Sequence, residues 1–336
     1  MSQLDLISVV MPVFNGERYL KDAVESILNQ SYAHFEFIII NDGSTDSTSA
    51  ILSQYKDDRL KLVQFEENRG LIEALNHGFK LAQGNYIARM DADDVALPNR
   101  LHEQVNAMKQ HPEWIACDTD YYLFDGVKKV RSSSSLSGDE LNVLLIFSTC
   151  FCHPSVMMKR SSNLPLPIYE KAFKHVEDYR LWTQLAPLGQ LGHLSLPLLL
   201  YRHHAGQVSN NQRDYQLALN KQIRSDYLKH LGISLSETEW LSLNRVGNNE
   251  FITSVAELKA IEQCLSKLKD ALITKTHLTP SAILNVINKF WYDSCGYTNL
   301  GWKAFTLYRQ SILANGAKTA RSQWRLLLKC LIRAVK

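Results

Sequence analysis

Short apolar runs alternate with stretches of helical spacing over the first 120 residues. Leu6–Met11 (LISVVM) is a β-branched run stopped by Pro12. Within Tyr19–Asn29, the residues Leu20, Ala23, Val24, Ile27 and Leu28 recur on one helical face. Phe35–Ile40 (FEFIII) reads as a second strand, closed by the turn Asn41-Asp42-Gly43-Ser44. Thr45–Tyr55 then reads as a helix, Leu60–Phe65 as a third strand, Gly70–Ala82 as a helix and Asn85–Met90 as a fourth strand. Fully apolar strands alternating with helices predict an α/β fold, a mostly parallel central sheet with helices on both faces. Ligands of such sheets bind at the carboxyl ends of the strands. The polar residues after each strand are therefore the ones that matter for function.

From about 110 to 210 the pattern is less regular. Arg131–Gly138 (RSSSSLSG) reads as a polar loop, Glu177 opens a helical pattern through Leu185, and Leu194–Leu200 is strand-like. Beyond about 211 the pattern is helical to the end, and no internal repeat is visible. This gives a first region over residues 1–210 and a helical region over 211–336, ending in a tail helix at about 318–336.

Charge sharpens that division. The whole chain carries 37 Lys and Arg against 34 Asp and Glu, yet residues 1–210 have a net charge of −6 and residues 211–336 a net charge of +9. No acid follows Asp293. In the tail, Lys318, Arg321, Arg325, Lys329, Arg333 and Lys336 share one helical arc, with Ala320, Trp324, Leu327, Leu328, Leu331 and Val335 opposite. One reading is a helix lying in an anionic membrane surface. Others are a last helix whose apolar face packs on its own domain, or a face for self-association. No nucleic-acid motif accompanies the charge, so a nucleic-acid partner is not expected.

Composition excludes other classes. At 45% hydrophobic and 21% charged, the chain is neither disordered nor fibrous. Its six cysteines form no CxxC pair, which argues against a zinc ribbon or a thioredoxin-type site, and Cys150-Phe151-Cys152-His153 reads as strand-spaced buried thiols. The start MSQLDLISVVMPVF lacks a basic segment before its apolar stretch, and no apolar run reaches spanning length. A cytoplasmic protein with reduced thiols is expected. Pro12-Val13-Phe14-Asn15-Gly16-Glu17 after the first strand is no GxGxxG, and no GxxxxGK[ST] occurs, so dehydrogenase and P-loop readings fail.

The strand ends carry the candidate chemistry. Asp42 is placed to accept from a base N–H, or simply belongs to an Asp-Gly turn before helix-capping Ser and Thr residues. Asp91-Ala92-Asp93-Asp94 packs three mutually repelling carboxylates into four residues, a pattern suited to a hard divalent cation; the alternative is a solvated acidic turn. Glu177-Asp178 opens a helix, where acids are favoured by the dipole, and a carboxylate there also suits a general base for an acceptor hydroxyl. Tyr201-Arg202-His203-His204 offers a histidine to a diphosphate or a metal, or is ordinary surface.

In chain order, Val9-Val10-Met11-Pro12-Val13-Phe14-Asn15, Asn41-Asp42-Gly43-Ser44-Thr45-Asp46, Asn68-Arg69-Gly70 with Asn76 and Gly78, Asp91-Ala92-Asp93-Asp94, Glu177-Asp178 and Tyr201-Arg202-His203-His204 resemble the motifs of family 2 glycosyltransferases of the GT-A fold, over about residues 4–210. The resemblance implies an inverting, metal-dependent enzyme of the bacterial surface-polysaccharide type (O-antigen or capsule). It would move a sugar from a nucleotide diphosphate donor, commonly a UDP-sugar, to a saccharide acceptor carried on a lipid. It further implies that the backbone of Pro12, Val13 and Phe14 and the Asp42 carboxylate hold the nucleoside, with Asn15, Glu17 and Arg69 near the nucleotide. Asp91 would face the ribose with Ala92 beside it, Asp93 would bind Mn²⁺ or Mg²⁺, and His204 would touch the diphosphate or the metal. Asp178 would be the catalytic base and Glu177 would orient the acceptor. The competing reading is a non-catalytic nucleotide-sugar-binding scaffold of the same fold. The region past 211 matches no motif of the family.

Overall fold

The computed structural model describes residues 5–161, 164, 167–203, 213–316 and 320–334. The chain divides into two compact units, one comprising the segment up to Gly138 with Cys150–Gln216, the other Asp139–Thr149 with the segment from Leu217 onward.

The first unit is built on one sheet of strands β1 (Ile7–Val13), β2 (Phe35–Asn41), β3 (Leu60–Gln64), β4 (Tyr86–Arg89), β5 (Val95–Ala96), β6 (Trp114–Phe124), β7 (Lys129–Ser132), β8 (Met157–Lys159) and β9 (Gln190–Arg202). Its helices are α1 (Leu20–Leu28), α2 (Thr48–Leu52), α3 (Leu71–Leu81) and α4 (Arg100–Gln110); α5 (Asp139–Leu144) belongs to the second unit, and α6 (Glu177–Leu185) returns to the first. The strand order is β3-β2-β1-β4-β8-β6-β9-β5, with β7 paired to β6. Strands β3, β2, β1 and β4 are parallel, as is the β6–β9 pair. β8 runs antiparallel between β4 and β6, and β5 and β7 are also antiparallel to their partners. The sheet is therefore mixed, and its parallel character is concentrated in the first four strands. β8 follows a one-turn 3₁₀ segment at His153–Ser155 rather than the helical crossover that a parallel neighbour requires.

Burial follows the pleat. Ile7, Val9 and Met11 of β1 and Phe37 and Ile39 of β2 pack with Leu20, Val24 and Ile27 of α1 and Leu101 and Val105 of α4. Alternate residues face α3 on the other side. There Gly78 lets the helix approach so closely that a Cβ would lie 2.5 Å from Val10 Cγ1. The third expected strand exists but lies at the sheet edge, with Lys61 and Leu62 exposed. The helix expected over Thr45–Tyr55 shortens to α2, because Asp46 spends one carboxylate oxygen on the Thr48 amide at its start (2.9 Å).

The second unit is helical: α5, then α7 (Arg213–His230) from Leu217 on, α8 (Glu237–Gly247), α9 (Val255–Lys275), α10 (Pro280–Gly296), α11 (Trp302–Gln310) and α12 (Ala320–Ala334). Capping boxes at Ser236/Glu239 and Ser254/Glu257 start α8 and α9. Arg224 of α7 is buried and donates to Phe147 O, Asn244 Oδ1 and Asn248 Oδ1. The final helix departs from the packed-face reading. α12 is held to α10 by buried Leu326 and Cys330, by Cys330 Sγ on Cys295 O and by Arg333 on Gly296 O (2.7 Å). Trp324 (65%), Leu328, Leu331 and Ile332 (62%) stay exposed. The basic arc is divided too, since Lys329 and Arg333 lie over the Tyr292 and Tyr297 rings. Lys318, Val335 and Lys336 lie outside the described residues.

Candidate active site

The loops after β1 and β2 are stitched together. Asn15, at φ +50°, accepts from Thr45 N (2.8 Å) while its own amide donates to Ser44 Oγ (2.9 Å). Glu17 accepts from Ser47 N and its amide donates to Asp46 (both 3.0 Å). Phe14, at the mouth formed by these loops, is half exposed. Pro12 and Val13 are buried within β1. Asp42 is buried, and its two oxygens accept from Arg69 N (2.7 Å) and Gly70 N (2.8 Å), which fixes the loop before α3. Gly43 is required there: at φ +68°, a Cβ would lie 2.3 Å from the Glu67 carbonyl carbon. Arg69 is exposed and its guanidinium lies 4.6 Å from the Phe65 ring centre. Asn15, Glu17 and Asp42 thus shape the loops around the strand ends.

Beyond β4, Asp91, Asp93 and Asp94 each offer a carboxylate oxygen within 4.8 Å of the others. Ala92, partly buried, separates the first two. An all-oxygen donor set suits a hard divalent cation. Asp94 is 1% exposed; its Oδ1 accepts from Arg202 N (2.8 Å), and its Oδ2 is buried with no hydrogen-bond partner. A cation fits that orphaned oxygen. Burial, and then the charges of Asp91 and Asp93, push the Asp94 carboxyl well above the usual range. Two arginines brace this turn. Arg89, the last residue of β4, holds Asp91 with both terminal nitrogens. Arg202, at the end of β9, donates to Asp93 O (2.7 Å) and Asp22 (3.0 Å), with its guanidinium over the Tyr19 and Phe124 rings. His203 donates its amide to Phe124 O, and His204 lies outside the described residues.

Glu177 and Asp178 begin α6, as the pattern predicts. Glu177 is 8% exposed and its Oε2 has no hydrogen-bond partner. Burial and then the neighbouring Asp178 push its carboxyl up to about 7. The residue that joins this pair to the acids after β4 is Tyr169. It is fully buried, its hydroxyl shares a 2.8 Å hydrogen bond with His153 Nε2, and it lies in the fields of Arg89, Glu177, Asp178 and Asp91. Arg89 in turn acts on Glu177. The two acidic groups, some 85 residues apart in sequence, therefore converge on one neighbourhood. Cys150, partly buried, feels Asp118 and Asp178. His153 is held neutral, its pKa pulled well down by burial and by Arg89.

The chemistry assembled here is a cation-suited acid cluster beside a carboxylate pair of split character, one acid buried with a raised pKa and one more open. Sequence reasoning named Asp94 as one of three acids suited to a cation and Arg202 and His153 only as members of motifs, and it did not single out Arg89 or Tyr169. The one sequence signal for Arg89 was a charged residue closing an otherwise apolar strand.

A model described as Glycosyl transferase family 2 matches residues 8–164. EpsE of Bacillus subtilis is 34% identical over 224 residues, covering 65% of this chain and 79% of EpsE. The O-antigen biosynthesis glycosyltransferase WbnJ of Escherichia coli is 32% identical over 232 residues, covering 67% of this chain and 90% of WbnJ. Among solved structures, S. aureus TarS 1-349 in complex with UDP-GlcNAc superposes with a TM-score of 0.58 at 16% identity, covering 87% of this chain and 91% of that one. That likeness is one of fold.

Proposed function

The chain belongs to glycosyl transferase family 2, and on that premise we propose that it transfers a sugar, with inversion, from a nucleotide diphosphate donor to a hydroxyl of a saccharide acceptor. The observation that carries this reading is that Asp91 of the acid cluster and the Glu177–Asp178 pair all lie within electrostatic reach of buried Tyr169. A donor site and a base for the acceptor must share one cleft for in-line displacement.

In this reading the backbone of Pro12 and Val13, the half-exposed Phe14 and the loop fixed by Asp42 receive the nucleoside, with Asn15, Glu17 and Arg69 shaping its edge. Asp91 and Ala92 line the ribose side. Asp93, with Asp94 and His204 as further ligands, would hold Mn²⁺ or Mg²⁺, which neutralises charge on the departing diphosphate. Asp178 accepts the acceptor proton as the hydroxyl attacks the anomeric carbon. Glu177, buried and beside it, orients the acceptor. UDP-GlcNAc in TarS makes a UDP-sugar the first donor to test. The name of WbnJ supports an acceptor in O-antigen-type surface-polysaccharide synthesis, and in our reading that acceptor is carried on a lipid.

A lipid-linked acceptor fits peripheral attachment to the inner face of the cytoplasmic membrane. No helix among the described residues is long and apolar enough to cross a membrane. The uncovered Trp324, Leu328, Leu331 and Ile332, in a stretch without acids, support docking on an anionic surface, with homo-oligomerisation as the competing use of that face.

The deciding experiment is UDP-sugar turnover with Mn²⁺ for the wild type and Asp178→Asn. Loss of turnover with UDP binding retained supports the enzyme. A wild type that binds UDP-sugars and turns over none of them supports the non-catalytic scaffold instead.

A further inference from the structure

We infer that Arg89 is a positioning residue that keeps Asp91 out of the cation's coordination shell and leaves Asp93 and Asp94 to hold the ion. This rests on the cation-dependent reading above and goes beyond it, by naming Arg89 as the residue that keeps the ribose-side acid apart from the two that hold the ion.

Three observations carry it. First, both Asp91 oxygens are engaged by one guanidinium: Arg89 Nη1 lies 2.6 Å from Oδ2 and Nη2 lies 2.5 Å from Oδ1. A bidentate fork of this kind fixes the plane of the carboxylate as well as its position. Second, the side chain that carries the fork is buried and its backbone is anchored. Arg89 is 4% exposed, its amide donates to Val156 O (2.9 Å), and its carbonyl accepts from buried Arg100 (2.7 Å). Swinging Asp91 toward a metal would strand a buried guanidinium, and an uncompensated buried charge is strongly destabilising. Third, Asp94 has the opposite character: one oxygen is engaged by the Arg202 amide, and the other is buried with no hydrogen-bond partner.

Arg89 also matters for charge. Three carboxylates around a divalent cation carry −1, and the Arg89 guanidinium brings the sum to zero, so the diphosphate is not repelled. Asp91 then remains a fixed acceptor for the ribose side.

The test is Mn²⁺ binding to the full chain without donor, by the spin-resonance signal of the free ion, together with UDP binding at saturating Mn²⁺. The variants are Arg89→Met and the charge-neutral pair Arg89→Met/Asp91→Asn. Freeing Asp91 should tighten Mn²⁺ binding at least about tenfold, since ligand charge sets affinity at oxygen sites, while UDP binding weakens. The double variant should return Mn²⁺ affinity to within about threefold of wild type. Arg89→Lys, which keeps the charge without the fork, should fall between wild type and Arg89→Met. General damage to the fold would weaken both ligands together. Weaker or unchanged Mn²⁺ binding in folded Arg89→Met overturns the inference, as does loss of Mn²⁺ binding in the double variant, which decides the matter alone if Arg89→Met does not fold. A wild type that binds no Mn²⁺ fails the cation reading itself, a different outcome.

Discussion

Asn76 and Tyr169, 93 residues apart, exchange two hydrogen bonds: Asn76 Nδ2 donates to Tyr169 O (2.8 Å) and Tyr169 N donates to Asn76 Oδ1 (2.9 Å). The amide completes the tyrosine's backbone as a neighbouring strand would. Phe79, one turn along α3, meets the Tyr169 ring edge-on at 5.6 Å. The tyrosine between the two acidic groups is thus set by α3. Asn76→Ala removes both bonds and should cost about 2 kcal/mol of stability. Turnover measured well below the melting temperature should fall more than tenfold. Asn76→Asp keeps only the acceptor and should fall between. A thermal-unfolding series with activity at matched fraction folded checks both.

Glu177 makes stability pH-dependent in a definite direction. Its carboxyl is raised to about 7, from 4.5, by burial and by Asp178. A carboxyl with a raised native pKa binds its proton more tightly when folded. Its favourable contribution is therefore complete below about pH 4.5 and is lost as pH rises through about 7. A difference of this size corresponds to roughly 3 kcal/mol. Glu177→Gln, which stays neutral, should be more stable than wild type at pH 8 by about that amount and nearly equal to it at pH 4.5. Denaturant midpoints at the two pH values, with chelator present, test this. Equal pH dependence in the two proteins would show that Glu177 does not carry it.

His193 gives a second dependence. Its Nδ1 lies 2.7 Å from Asp118 and its Nε2 3.0 Å from Asp120, and a neutral ring has only one N–H to donate. Burial pulls the imidazole pKa down, but the hydrogen bond and charge of Asp118, and then Asp120, outweigh it, so the net shift is upward. The stabilising contribution is complete below the unfolded value near 6.5 and is lost as pH rises through the higher folded value. His193→Gln should lose stability relative to wild type most at pH 6 and least at pH 9, so its difference from wild type moves with pH in the same direction as that of the Glu177 variant.

The parallel core was legible because each of its elements carries its own signal. The unbroken apolar runs of β1 and β2, the one-sided spacing of α1 and α3 and the acids opening α6 all survive in the fold. What stayed hidden depends on partners distant in sequence. β5 is two residues long and exists only because Val95 and Ala96 pair with Leu200 and Leu199. β8 takes its direction from lying between β4 and β6. The acids of the site were visible as types; their division was not. Asp94 accepts from the Arg202 amide and keeps a buried oxygen unpartnered, whereas the Arg89 guanidinium engages both oxygens of Asp91. In the tail, periodicity gives a helix and its two faces, but which face packs is decided by α10. A Cβ on Gly296 would lie only 3.3 Å from Leu326 Cδ1, so that glycine admits the side of α12 carrying Leu326 and Cys330.

That choice leaves a testable surface. Trp324, Leu328 and Ile332 recur at four-residue spacing and are exposed, with Arg325 and Lys329 beside them. An apolar stripe next to a basic one matches the interface of an anionic bilayer, where the side chains gain burial and the cations gain attraction. The chain should co-sediment with vesicles containing phosphatidylglycerol, and much less with phosphatidylcholine alone. Raising salt to about 0.5 M should weaken this, because the basic contribution is screened. Leu328→Glu with Ile332→Glu should lower vesicle binding at least about tenfold without unfolding the unit, since both side chains already face solvent. Leu326→Glu places a charge against α10 and should destabilise the helix itself. If the double variant keeps its vesicle binding but shifts to a smaller species on size exclusion, the stripe joins two copies of the chain and does not meet lipid.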